Sequence, residues 1–291
     1  MTEMIERMKN KALYIRRKTV EMCHHARMGH IAPVFSCAEI LAALYYGDVM
    51  VYRPGEPDWE GRDIFVMSKG QACAGLYAIL GDIGHIPMEE LDEYGDDGSR
   101  LGGHADSGVP GVDFYTGSLG HGLGVAAGMA QAMKIKGDKK VSTENRRRVF
   151  CLLGDGECQE GSVWEAAWYA AAHKLDNLVA IVDANRQQAT DYAPDVVSED
   201  VYFKDKQRWE SSGWAVISVP DGHDVVSVKG ALDSAKRYYK GRPKVIIANT
   251  IKGKGVPEIE RVIIWHYRVP TTAEECSWFN RALDLNLQPT A

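Results

Sequence analysis

The chain lacks paired cysteines. Its six (Cys23, Cys37, Cys73, Cys151, Cys158 and Cys276) are scattered with no CxxC spacing, so neither a zinc knuckle nor a disulfide framework is written in their order. Several stand among Ala, Leu and Val, where a free thiol serves as a small apolar side chain. No run approaches the roughly 18 uninterrupted apolar residues of a membrane span, and no membrane partner is expected. The opening stretch MTEMIERMKNKALYIRRKT alternates charge and hydrophobe without the apolar segment of a secretory signal. A basic excess is missing too: 34 Lys and Arg stand against 40 Asp and Glu, a net charge of −6. Nucleic-acid binders carry the opposite balance, so no nucleic-acid partner is expected and any bound anion must be held by local geometry. These absences together make a cytoplasmic location the expectation. There is also no internal repeat and no low-complexity linker.

What is present is a full core. The 291 residues are 45% apolar and 25% charged, the proportions of a soluble chain with room for one large α/β domain or two ordinary ones. Residues 3–28 read as a helix on the spacing of Met4, Met8, Leu13, Ile15 and Val20. GHIAPVFS at 29–36 breaks it, and Ser36 is placed to cap a second helix through CAEILAALYYG. IFVM (64–67) reads as a short buried strand, followed by a small-residue helix over about 70–80. A glycine-rich loop over 95–117 leads into TGSLGHGLGVAAGMAQAMK, which carries a helix studded with Gly and Ala. RRVFCLL (147–153), GSVWEAAWYAAAH (161–173) and NLVAIVDAN (177–185) then form a βαβ unit, whose strands must be parallel. A loop at 186–200, a helix around 204–212, the strand WAVISV, a helix near 223–239 and the strand KVIIANT (244–250) continue the alternation. The repeated order predicts an α/β fold in which a mostly parallel sheet carries helices on both faces, as a single domain over 1–291.

In open parallel sheets ligands collect beyond the carboxyl ends of the strands. Asp155 follows VFCLL in the turn Gly154-Asp155-Gly156, and Asn185 follows LVAIVDA thirty positions later. If the two strands are neighbours, both side chains emerge at one edge of the sheet. A carboxylate and an amide oxygen suit Mg²⁺ or Ca²⁺ rather than zinc. The glycines admit an anion to backbone NH groups, and the next helix presents its N-terminus. Taken singly, GDG is an ordinary turn and Asn185 a loop residue; paired across a βαβ unit, they point to a divalent ion with a diphosphate. Gly120-His121-Gly122-Leu123-Gly124, with Gly128, lacks GxGxxG spacing, a strand leading in and a following acidic residue. The small residues at 122, 124, 126, 127 and 128 are therefore read as close helix packing. GKG at 253–255 lacks the rest of a P-loop.

GDGECQEG followed by DAN resembles the thiamine diphosphate signature. The blocks GHIAPVFSCAEI, RDIFVMSKG, GGHAD, TGSLGHGLGVAAGMA, LLGDGECQEGSVWEA, KLDNLVAIVDANR and NTIKGKG, in that order, resemble the N-terminal half of transketolase over about residues 10–275. The resemblance implies a thiamine-diphosphate-binding fold with Mg²⁺ (or Ca²⁺) ligated by Asp155, Asn185 and the backbone carbonyl of Gln187. It implies that the Gly156 NH and His266 contact the diphosphate, with Gly154 and Glu157 in the same cofactor-binding loop. His30 and His104 would line the channel near the thiazolium and the donor sugar's first carbons. A neutral imidazole there donates to a hydroxyl or accepts its proton. Gly117, Ser118 and Leu119 would touch the aminopyrimidine, and Lys252 would stand near the diphosphate. Glu160 would lie across a subunit contact, in a chain of carboxylates leading to the cofactor. His24, His25, His85, His173 and His223 have no motif around them and read as surface or helix residues. His121 stands where the family commonly has glutamine, and reads as a residue behind the site.

Two departures stand out. The block usually written SKGHA is Ser68-Lys69-Gly70-Gln71-Ala72 here, so Gln71 replaces a histidine near the diphosphate. Glutamine donates hydrogen bonds but cannot shuttle a proton. The family's GHP reads Gly103-His104-Ala105, and its WHG reads WHYRVP around His266. The larger departure is that full-length transketolases continue through a pyrimidine-binding domain, which nothing in LDLNLQPTA begins. The resemblance therefore implies the N-terminal, α-type subunit of a split transketolase, inactive alone. Its partner would be a separate C-terminal subunit carrying the pyrimidine-binding domain, in an α2β2 heterotetramer. The pair would move a two-carbon ketol unit from a ketose phosphate to an aldose through a thiamine-bound carbanion. Two alternatives stay open: delivery of a two-carbon acyl unit to a lipoyl or carrier-protein thiol, and a non-catalytic scaffold of the same fold.

Overall fold

The computed structural model describes residues 1–137, 146–193, 195 and 205–285. Five strands, β1 (Ile64–Met67), β2 (Val149–Gly154), β3 (Leu178–Ala184), β4 (Ala215–Val219) and β5 (Lys244–Asn249), form one sheet in the order β1-β2-β3-β5-β4. Every pairing is parallel, and every strand read from the sequence is there, with ends shifted by a residue or two. Around them run α1 (Thr2–Ala26), α2 (Ile31–Tyr46), α3 (Cys73–Asp82), α4 (Gly122–Lys136), α5 (Gly161–Ala172), α6 (Asp205–Ser211), α7 (Val225–Arg237) and α8 (Ala273–Leu285). Position 204 of the expected helix and parts of the expected 186–200 loop lie outside the described residues.

Because side chains alternate along a strand, the sheet divides the core in two. Phe150, Leu152, Val179, Ile181 and Ile246 face a layer of α1, α2, α3, α7 and α8. Cys151, Leu153, Ala180, Val182 and Val245 face α4, α5 and Trp209 of α6. Helices thus cover both faces, which is what lets the central strands be apolar throughout.

Several local expectations are corrected. Ser36 does not cap α2. The helix starts at Ile31, with His30 at the cap position and Pro33 in the first turn, where a missing N–H leaves no bond unmade. All sixteen residues of α2 are buried, so Ser36 sits mid-helix and its hydroxyl donates to Asp183 of β3 at 2.5 Å. In α1 the buried stripe runs through Met8, Ala12, Ile15, Thr19 and Cys23 and includes Arg16, whose guanidinium pairs with Glu39 of α2 at 2.6 and 2.7 Å. His223 is not a surface residue: its Nδ1 meets Glu39 Oε2 at 2.9 Å, and its Nε2 accepts from the Ile251 backbone N–H at 2.7 Å. His85 is likewise tied, to the Arg53 carbonyl at 3.1 Å. α8 has no counterpart in the sequence reading, because its fully buried apolar residues, Phe279 and Leu283, make too sparse a stripe.

The small residues of α4 divide by role. A Cβ on Gly122 would lie 2.3 Å from the Ser68 hydroxyl and 2.8 Å from its Cα, and Ala126 and Ala127 are in the core. Gly128 has open space where a Cβ would go, and Gly124 is exposed. Urea unfolding should separate them. Gly122→Ala forces β1's exit to move and should cost about 1–3 kcal/mol, whereas Gly128→Ala should be neutral or stabilise by about 0.5–1 kcal/mol through helix propensity. Equal effects at the two positions would contradict the packing described.

Candidate active site

β2 and β3 are neighbours in register Gly154↔Asp183, so Asp155 and Asn185 emerge at the same edge of the sheet. Both are fixed by backbone donors. Asp155 accepts from the Gly156 N–H at 2.8 Å and the Arg186 N–H at 2.6 Å. Asn185 Oδ1 accepts from the Gln187 N–H at 3.0 Å. The GDG turn is thereby stitched to the residues that follow the neighbouring strand.

Above this edge opens a cavity of about 350 Å³. Its lining includes His30, Gln71, His104, Gly117, Leu119, Gly154, Asp155, Gly156, Glu157, Glu160, Asn185, Gln187, Lys252 and His266. The structure thus gathers every residue assigned to catalysis, cofactor or metal in the sequence except Ser118, which is exposed and outside the lining. Gly117 has φ +144° and a Cβ there would lie 3.2 Å from the His104 ring, so this turn requires glycine. His121 is exposed at the start of α4 and does not line the cavity.

Glu157 and Lys252 hold the walls. Glu157 is buried, and its carboxylate accepts from the Ser68 hydroxyl, the Gly120 N–H (2.9 Å) and the Gly154 N–H (3.1 Å). It ties the GDG turn to the loop before α4, and burial raises its pKa. Lys252 donates to His266 Nδ1 (2.6 Å), the Gln188 carbonyl (3.1 Å) and the Gln187 carbonyl (3.4 Å), so its protons are all engaged by the protein. Glu160, by contrast, is exposed at the start of α5 and its side chain makes no capping bond.

The histidines form a cluster. The His30 ring lies 5.7 Å from His104 and 5.4 Å from His266. Burial, then the neighbouring His104 and Lys252, pushes His30 down to about 4. Burial and Lys252 push His266 down to about 3, and burial also lowers His104. Burial, then Lys69, brings Lys252 down to about 8. At neutral pH the cluster therefore consists of neutral imidazoles able to donate or accept. Since Lys252 occupies His266 Nδ1, the proton of that ring sits on Nε2.

Several polar atoms of lining residues are buried without a partner among the described residues: His30 Nδ1, Gln187 Oε1 and Gln188 Nε2. An unmade buried hydrogen bond costs about 1–3 kcal/mol, so these atoms suit a polar ligand. For a cation, the oxygens at hand are the Asp155 carboxylate, Asn185 Oδ1 and the Gln187 carbonyl. They are hard donors carrying one charge, fewer than the six oxygens Mg²⁺ takes. Among the described residues no group of three or more His, Cys, Asp and Glu is placed to hold a metal by itself. The donor set fits an ion that arrives with anionic oxygens of its own.

Pro33, Lys69, Gln159, Gln188, Ala189 and Thr190 complete the lining; the first three stand inside blocks that match the family, and nothing in the sequence context of the last three marks them as site residues. From the cavity wall inward runs an ion pair that sequence reasoning also misses, Lys69 with Asp183, at 1% and 0% side-chain exposure. Asp183 also accepts from the Ser36 and Thr250 hydroxyls and from Asn185 Nδ2. Burial opposes both charges, and each overrides it for the other: Asp183 is held below its ordinary value and Lys69 above. Both residues stand inside the SKG and DAN blocks, and a lysine two residues past an apolar strand is the available signal.

The family model described as transketolase, thiamine diphosphate binding domain, matches residues 7–286. The chain is 40% identical over 262 residues to a protein named as one subunit of an apulose-4-phosphate transketolase from Phocaeicola vulgatus, covering 89% of this chain and 88% of that one. It is 36% identical over 267 residues to the 6-deoxy-6-sulfo-D-fructose transketolase subunit of a Clostridium species, covering 91% and 92%. Among solved structures it is similar to transketolase from Campylobacter jejuni, with TM-score 0.85 and 33% identity over 96% of this chain and 43% of that one. It thus spans nearly the whole length of the subunit relatives and about two fifths of that solved transketolase.

The depressed imidazoles have a consequence for stability. An unfolded chain protonates His30 near 6.5, the fold only near 4. Between those values the unfolded state binds more protons, so this residue's contribution is lost as pH falls through that window. Thermal midpoints measured from pH 7 to 4 should decline for the unsubstituted chain and decline less steeply for His30→Asn. Parallel profiles would show that His30 is not held neutral.

Proposed function

The chain belongs to the transketolase thiamine diphosphate-binding family, and we propose that it is the diphosphate-binding subunit of a two-chain transketolase. The observation that carries this reading is the meeting of Asp155 and Asn185 at one edge of the sheet, with Gln187 lining the cavity above them. In this reading residues 1–291 are one domain, and Asp155, Asn185 and the Gln187 carbonyl hold Mg²⁺ (or Ca²⁺) against the diphosphate of thiamine diphosphate. Gly154 and Gly156 admit the diphosphate, and His266 donates to it from Nε2. Lys252 contributes positive charge while orienting His266. Glu157 acts at one remove, holding the GDG turn and the 117–120 loop in mutual position. Gly117 and Leu119 offer the surface for the aminopyrimidine, and Ser118 stands outside it.

The cofactor supplies the carbon nucleophile and electron sink that cleavage next to a carbonyl requires. The chain's residues move protons and fix the sugar. His30 and His104, neutral at pH 7, accept a proton from a donor-sugar hydroxyl or return it to the acceptor. Gln71 meets the sugar or phosphate as an uncharged hydrogen-bonding group. The substrates are a ketose phosphate and an aldose, with a two-carbon ketol unit passing between them.

The partner is a C-terminal subunit carrying the pyrimidine-binding domain, and the working assembly is α2β2. Support comes from the subunit names of the relatives, from the exposed, uncapped Glu160 at the cavity rim, and from Trp168 and Tyr169, 60% and 42% exposed on α5. Aromatic surface of that kind marks contact faces. The chain works in the cytoplasm, a placement supported by six free thiols, five of them buried.

The test is reconstitution of this chain with a pyrimidine-domain subunit, thiamine diphosphate and Mg²⁺, followed by assay with a ketose phosphate and an aldose. Transfer should require all four components, and Asp155→Ala should lower it by about a hundredfold or more through lost metal affinity. Glu160→Gln should leave cofactor binding by the chain intact while lowering turnover of the pair. A reconstituted pair that binds the cofactor but transfers no ketol unit would overturn the reading.

A further inference from the structure

The side-chain amide of Asn185 is ambiguous by shape: its oxygen and nitrogen occupy similar positions, and only the oxygen can ligate a cation. Asn185 is 7% exposed, and Asp183, two residues earlier on the same side of β3, is fully buried. The Asp183 carboxylate is acceptor-only, and its Oδ2 takes a hydrogen bond from Asn185 Nδ2 at 3.1 Å. Lys69 keeps that carboxylate ionised, with its Nζ also donating to the Pro33 carbonyl at 3.0 Å. Ser36 donates to the same Oδ2 and Thr250 to Oδ1. Every side chain bonded to Asp183 is thus a donor, and the one orientation of Asn185 that satisfies it turns Oδ1 away from Asp183, to the Gln187 N–H.

We propose that Asp183 is a positioning residue that, charged by Lys69, orients the Asn185 amide so that oxygen rather than nitrogen faces the cation. The inference rests on the functional reading above. It assigns a task to the buried pair: the ion pair is a polarity lock on a metal ligand. Remove the charge by placing an amide at position 183, and that amide and the Ser36 and Thr250 hydroxyls can each donate or accept. Of the two contacts that select the orientation of Asn185, only the Gln187 N–H then remains, and the Asp183 side no longer enforces it.

The test uses the full chain with thiamine diphosphate and Mn²⁺ as the probe, with free Mn²⁺ read by electron paramagnetic resonance. Lys69→Met/Asp183→Asn removes both charges together, a replacement that buried pairs tolerate far better than loss of one partner. It should weaken Mn²⁺ uptake by about ten- to a hundredfold with an unchanged circular dichroism spectrum. Adding Asn185→Asp should recover most of that loss, because a carboxylate presents oxygen whichever way it turns and the amide introduced at position 183 can donate to it. Equal uptake in both variants, whether normal or weak, would overturn the proposal. If the unsubstituted chain takes up no Mn²⁺ even with the pyrimidine-domain subunit present, the functional reading itself fails. A measurement independent of the pair's substitution is hydrogen exchange of the Asn185 carboxamide protons, identified by their absence in Asn185→Asp. They should exchange slowly in the unsubstituted chain, and exchange at the rate of a free amide overturns the proposal even if the charge-removed variant does not fold.

Discussion

The buried ion pair between Lys69 and Asp183 is the constraint on which the rest of the site depends. Taking a carboxylate and an ammonium out of water costs several kcal/mol per ion, and removing one partner alone typically costs about 3–5 kcal/mol. Here the pair joins four elements: the exit of β1 through Lys69, the middle of α2 through Ser36, the end of β3 through Asp183, and the end of β5 through Thr250. A hydrophobic contact at this point would pack as well but would not hold the amide beside it in one polarity. The cost of burial falls where the strand ends must keep one arrangement.

Around that anchor the site is built from groups whose own hydrogen bonds are already made. Glu157 commits its carboxylate to Ser68, Gly120 and Gly154, and Lys252 its ammonium to His266 and two carbonyls. The lining residues, by contrast, keep atoms without a partner among the described residues at His30 Nδ1, Gln187 Oε1 and Gln188 Nε2. The division between satisfied framework and unsatisfied lining is what preorganises a site, since the framework does not rearrange when a ligand comes. The depressed His30 and His266 belong to the same logic. They are kept neutral by burial and by the cations beside them, which leaves positive charge on Lys252 and Lys69.

A second buried chain, Arg16–Glu39–His223, runs behind the first and reaches the backbone at Ile251, next to Lys252. Burial opposes the Glu39 charge, but Arg16 and His223 bring its pKa down to about 2. Sequence reasoning leaves His223 among the histidines without a role because its partners are far away along the chain. The same limit hides Asp183 and Lys69, although both lie within blocks that match the family. Ser36 misleads for a related reason: a serine before an apolar run is a good cap by local rules, and only the packing of α2 against β3 makes it an interior donor.

The sequence by itself determined the alternation of strand and helix, the parallel sheet, and the emergence of Asp155 and Asn185 from successive strands. These follow from periodicities of two and 3.6 residues and from turn chemistry, which are local along the chain. The tertiary structure decided strand order, with β5 inserted between β3 and β4, and with it the arrival of Thr250 beside Asp183. It also decided which polar residues are partnered, which imidazoles are neutral, and which glycines of α4 face a wall rather than solvent. Those properties depend on burial and on contacts between residues distant in sequence, and neither is encoded in spacing.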